Sequence, residues 1–84
     1  MAHFNLGNAL LRRSDLVGAA RHYERALELQ PTLTNAYSYL ARAYGSMQDT
    51  AQVLRVARRW TRFAPRDAQA RQLVRELETA LAGR

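Results

Sequence analysis

Two stretches of this 84-residue chain decide its fold when set one beneath the other. They are LGNALLRRSDLVGAARHYERALELQP, residues 6–31, and LARAYGSMQDTAQVLRVARRWTRFAP, residues 40–65. The second begins 34 residues after the first, and at that offset Leu6 falls on Leu40, Ala9 on Ala43, Asp15 on Asp49 and Pro31 on Pro65. Arg21 and Arg25 fall on Arg55 and Arg59, and Gly7 falls on Ala41. A fixed period of this size marks a repeat architecture, in which each unit buries its apolar face only by stacking on a neighbour. Each copy reads as helix, short turn, helix, proline.

Working outward, apolar spacings of three and four predict five helices. The first, about 2–13, aligns Leu6, Ala9, Leu10 and Arg13 along one side. The second, about 16–29, carries Leu16, Ala19, Ala20, Tyr23, Ala26 and Leu27. The third, about 34–46, carries Tyr37, Leu40, Ala41 and Tyr44, and the fourth, about 50–63, carries Val53, Leu54, Ala57, Trp60 and Thr61. The last, about 68–82, carries Ala70, Leu73, Val74, Leu77 and Leu81. Asp15 and Asp49 stand where an N-cap is needed, and Thr34 and Asp67 are placed to cap the third and fifth helices. Pro31 and Pro65 follow helix ends, where a missing N–H stops continuation.

Composition narrows the functions. The chain is 48% hydrophobic and 24% charged, which suits a folded domain of marginal core size. It has no cysteine, so disulfides and thiolate metal sites are excluded. All thirteen basic residues are arginine, the net charge is +6, and alanine is abundant, a bias expected of a GC-rich, bacterial source. No apolar run approaches the roughly 18 residues of a membrane span, and the start lacks a signal-peptide core; the default compartment is the cytoplasm. His3 and His22 are the only histidines. No phosphate-cradling loop, metal-ligand spacing or nucleophile–base set appears, so no catalytic residue, cofactor or metal is expected.

The chain resembles two tetratricopeptide repeats followed by a capping helix. The pattern W-x2-L-G-x2-Y, A-x3-F, P is met in the first unit by Leu6, Gly7, Ala19, Tyr23 and Pro31. His3 and Leu10 replace its two aromatics. The second unit supplies Tyr37, Leu40, Tyr44 and Pro65, with Ala41 for the glycine, Val53 for the alanine and Ala57 for the aromatic. The resemblance implies an all-α fold, a right-handed superhelical stack of antiparallel helix pairs. Residues 1–33 and 34–67 are then the two repeats and 68–84 a C-terminal capping helix. Gly7 and Ala41 would sit where paired helices cross closely, and the missing ring at Ala57 would be replaced by Trp60, one turn on. The N-terminal end carries no cap, so it is expected to stack on an upstream repeat, a second copy or a ligand.

In such stacks the first helix of each unit lines a concave side that takes a peptide. By register the resemblance puts Phe4, Asn8, Leu11 and Arg12 there from the first unit, and Asn35, Ser38, Tyr39 and Arg42 from the second. Gln69 and Gln72 would join from the cap. Arg12 and Arg42 are candidates to pair with a carboxylate. The lysine clamp that some family members use for a chain terminus is not expected, because Phe4 and Ser38 stand where it needs cations. The second candidate surface is an arginine stripe, Arg55, Arg58, Arg59, Arg62 and Arg66, facing either solvent, nearby glutamates or an anionic partner. Nucleic acid is disfavoured because aromatic platforms beside the cations are lacking. The expected partner is a protein or peptide, with a homo-oligomer as the alternative.

Overall fold

The computed structural model describes residues 2–83. Its elements are α1 (Ala2–Arg12), α2 (Leu16–Leu29), α3 (Thr34–Ser46), α4 (Thr50–Phe63) and α5 (Ala68–Ala82). Each helix packs on the next in sequence, and α1 also touches α3. The result is a layered stack of two hairpins and a fifth helix, with no strand among the described residues.

The helix starts follow from side-chain chemistry. Asp15 accepts the Gly18 N–H at 3.0 Å and Asp49 accepts the Gln52 N–H at 3.3 Å. Asp67 accepts from both Gln69 (3.0 Å) and Ala70 (3.2 Å). Each bond satisfies a backbone donor that the first turn of a helix leaves free. Thr34 departs from expectation. The cap position of α3 is Leu33, with no side-chain bond, and Thr34 is already helical. A turn closed by the Leu33 N–H on the Gln30 carbonyl (3.1 Å) brings the chain into the helix one residue early.

The two hairpin turns are the same device used twice. After α1 the Ser14 N–H donates to the Leu11 carbonyl and the Asp15 N–H to the Leu10 carbonyl; after α3, Gln48 donates to Gly45 and Asp49 to Tyr44. This is the Schellman arrangement, which needs a left-handed residue just past the helix end. Ser14 (φ 63°) and Gln48 (φ 59°) supply it although neither is glycine.

The core runs through the middle of the stack. Ala19, Tyr23, Ala36, Tyr37, Leu40, Ala43, Val56, Ala57 and Ala70 have no exposed surface. Tyr23 lies against Gly7, where a Cβ would come within 2.7 Å of its ring. Trp60 is 3% exposed, in keeping with the packing role expected for it. Leu6 is a correction. The sequence pairs it with Leu40 on a buried stripe, yet Leu6 is 49% exposed and Leu40 is 0% exposed. The reason is position: α3 has α2 of the preceding hairpin beside it, whereas α1 has no helix on its outer side among the described residues.

Candidate functional site

Helices α1, α3 and α5 present one side each to a shared open groove of about 750 Å³. Its rim carries Asn35, Ser38, Arg42 and Gln69, and Phe4 and Tyr39 close one end. The floor is apolar: Ala41, Gly45, Val53, Trp60 and Leu73. A concavity with an apolar floor and a polar rim of amides, hydroxyls and a charge suits a ligand that buries apolar side chains and is oriented by polar groups.

Local packing fixes the end wall. The Phe4 ring sits edge-on to Tyr39 at 5.5 Å and 5.9 Å from Tyr23, while Tyr23 and Tyr39 lie 6.0 Å apart. The Arg42 guanidinium rests 5.4 Å over the Tyr39 ring. That contact holds the charge over the groove while leaving its N–H donors free, since a ring face competes for none of them. Arg42 is exposed, and no acidic side chain lines the groove.

Of the ten groove residues expected from sequence, Phe4, Asn35, Ser38, Tyr39, Arg42 and Gln69 come together here. The other four stand elsewhere. The Asn8 Oδ1 accepts the Tyr23 hydroxyl proton at 2.5 Å, and the Asn8 NH2 is left to donate elsewhere. Burial, then the neighbouring Tyr39, raises the Tyr23 phenol above its ordinary range; the hydroxyl stays a donor to Asn8. Leu11 packs against the core. Arg12 is exposed beyond the groove lining, near enough to Tyr23 for its charge to be felt there. Gln72 donates to Glu76 at 3.0 Å and lies with Arg71 and Arg75 on a different side of α5.

The floor is what sequence reading missed. Val53 and Trp60 read as core residues of α4, and both are buried, yet an edge of each lines the groove alongside the small residues Ala41 and Gly45 of α3. A second feature without a sequence signal is the His3–His22 pair, whose Nδ1 atoms lie 3.1 Å apart. One imidazole donates to the other across α1 and α2. Nineteen residues separate them, and only the hairpin makes them neighbours. Among the described residues no group of three or more His, Cys, Asp or Glu is gathered as a metal would need.

The arginine stripe is largely engaged within the stack. Arg55 and Arg59 of α4 both reach Glu24 of α2, at 2.6 and 2.8 Å, and Tyr44 of α3 donates to the same carboxylate at 3.2 Å. Burial alone would raise the Glu24 carboxyl, but hydrogen bonds and charge from Arg59 and Arg55 outweigh it and hold it below the ordinary range. The same bond, with Glu24 as acceptor, raises the Arg55 guanidinium. Arg58 pairs with Glu78 of α5 at 3.0 Å, and Arg59 also lies 5.8 Å over the Tyr37 ring. Arg62 and Arg66 are exposed. Of the two glutamates on α2, Glu24 receives the stripe, while Glu28 pairs with Arg25 on its own helix.

No helix among the described residues is long and apolar enough to cross a membrane. Residues 1–33 match the tetratricopeptide repeat family. The chain is also similar to the Protein CTR9 homolog of Arabidopsis thaliana, 31% identical over 68 residues, which are 81% of this chain and 6% of that protein. It therefore spans a small part of the relative's length. Repeats of this family are non-catalytic scaffolds that mediate protein–protein interaction. With one unit matched directly and its helix hairpin repeated 34 residues on, the chain belongs to the tetratricopeptide-repeat family.

Proposed function

We propose that this chain is an interaction module that holds a protein or peptide segment in the groove between α1, α3 and α5. The observation that carries the reading is the pairing of an apolar floor, Trp60, Val53 and Leu73, with a rim of Asn35, Ser38, Gln69 and, as its one cation among the described residues, Arg42. Such a lining favours a segment that lays apolar side chains on the floor and sets a carboxylate beside Arg42. The amides of Asn35 and Gln69 offer donors and acceptors to its backbone. Three short helices bury little area, so the affinity should be no tighter than about micromolar.

The test is a peptide-library selection on the folded chain, followed by titration of the enriched sequences. Enriched peptides should combine apolar residues with an acidic one, and Arg42→Ala should weaken them about tenfold, the scale of one charge-assisted bond, with helicity unchanged. Peptides that bind wild type and Arg42→Ala equally, or that perturb amide signals only away from the groove-lining residues of α1, α3, α4 and α5, would refute the groove reading.

A further inference from the structure

His3 of α1 and His22 of α2 face each other across the first hairpin, with their Nδ1 atoms 3.1 Å apart. The ring centroids are 5.3 Å apart and the ring planes differ by 26°, so each ring leads with its Nδ1 edge. As a hydrogen bond the contact requires one ring to carry its proton on Nδ1 and the other on Nε2. The same spacing is that of two ligands on one ion. With metal–nitrogen bonds of about 2.0–2.1 Å, two imidazole nitrogens on one ion stand about 2.9 Å apart at a right angle and about 3.3 Å apart at the tetrahedral angle. The observed separation lies between these limits. Both lone pairs converge on one ion when each ring turns about its Cβ–Cγ bond, a torsion that is broad for histidine. The backbone already holds the rings at this distance, because Gly7, one turn beyond His3, lies against the ring of Tyr23, the residue after His22.

We infer that His3 and His22 chelate a divalent transition-metal ion through their Nδ1 atoms and so join α1 to α2. Imidazole suits Zn²⁺, Cu²⁺, Ni²⁺ and Co²⁺, whereas Mg²⁺ and Ca²⁺ take oxygen ligands. Two nitrogens are fewer than the four ligands of a closed structural zinc site, and no third His, Cys, Asp or Glu joins them among the described residues. Water completes the shell, and the site is open and exchangeable. Arg25, one turn after His22, is held by Glu28 at 2.7 Å, which offsets its repulsion of the ion. The ion sits beside Phe4, the neighbour of His3 that closes one end of the groove. The inference does not depend on the groove reading, since neither histidine lines the groove.

The probe is Zn²⁺, titrated calorimetrically into the full chain with its terminal amine acetylated, so that the amine adds no ligand. One ion should bind per chain. His3→Gln and His22→Gln should each weaken it by about a hundredfold, the loss of a second ligand that binds intramolecularly. Zn²⁺ should raise the melting temperature of wild type and leave that of His22→Gln unchanged, and Mg²⁺ or Ca²⁺ at the same concentration should raise neither. With Cu²⁺ in place of Zn²⁺, electron paramagnetic resonance should show two imidazole nitrogens in wild type and one in each variant. Should a variant fail to fold, the wild-type copper spectrum decides by itself. Zn²⁺ affinity that His22→Gln leaves unchanged, a wild-type copper spectrum with a single nitrogen, or an ion that bridges two chains in sedimentation would overturn the inference.

Discussion

Gly7 and Tyr23 meet with no room for a side chain between them: a Cβ on Gly7 would lie 2.7 Å from one ring carbon of Tyr23 and 2.8 Å from the next. The ring has no exposed surface and its hydroxyl is tied to Asn8, so it has nowhere to retreat. The glycine is the condition for the first hairpin to close at this distance.

Gly7→Ala should therefore destabilise the chain by about 1–3 kcal/mol, the cost of overpacking, against the helix-propensity gain that alanine brings. Gly7→Leu should unfold the first hairpin. Urea melts followed by circular dichroism check both; an alanine variant as stable as wild type would mean that α1 and α2 separate freely.

Glu24 sets a pH dependence. Its folded carboxyl lies below the ordinary value of 4.5 because the two arginine bonds outweigh burial. A lowered carboxyl contributes stability that is fully present above the unfolded value and is lost as pH falls through the folded one. Wild type should exceed Glu24→Gln by about 1–2 kcal/mol at pH 7, a figure reduced for the partial exposure of the arginines. The gap should shrink steadily once the pH drops below 4.5. Denaturation of both proteins at pH 7 and at successively lower pH measures it, and a constant gap contradicts the assignment.

The left-handed residues Ser14 and Gln48 hold a conformation that a side chain resists. Ser14→Gly and Gln48→Gly should each stabilise by about 0.5–1 kcal/mol, because relief in the folded turn exceeds the added freedom of the unfolded chain. A β-branched residue at either position should destabilise. Melting temperatures of the four variants settle the sign.

The indole of Trp60 is buried, and its Nε1–H has no acceptor among the described residues. Trp60→Ala should cost about 3–5 kcal/mol through the cavity it leaves. Trp60→Phe should cost only about 1 kcal/mol, since it removes an orphaned donor together with some volume. If the two variants melt alike, the ring is not packed as described.

The five helices were legible because three kinds of signal coincide: apolar spacing, an aspartate ahead of α2, α4 and α5, and a proline after α2 and α4. Thr34 misled because a threonine ahead of an apolar run reads as a cap whether or not the preceding turn leaves it outside the helix. Leu6 misled because a 34-residue match says which positions are equivalent and not whether a neighbour exists to cover them. At the groove, the rim was visible from register on α1, α3 and α5. The floor was not, since Val53 and Trp60 belong to the core by every local criterion and reach the groove alongside the small residues of another helix. His3 and His22 carry no local pattern at all, and their meeting depends on how closely Gly7 lets α1 approach α2.

The sharing of one carboxylate by two arginines a single turn apart fixes how the hairpins index against each other. If the second hairpin slid one turn along α2 as a unit, Glu24 would keep one arginine and lose the other, and Tyr44 would lose its acceptor. A stripe of alanines tolerates such a slip almost without penalty, because small side chains look alike from one turn to the next. Glu24 thus supplies what that smooth surface lacks: a mark that distinguishes the correct alignment from its nearest competitors.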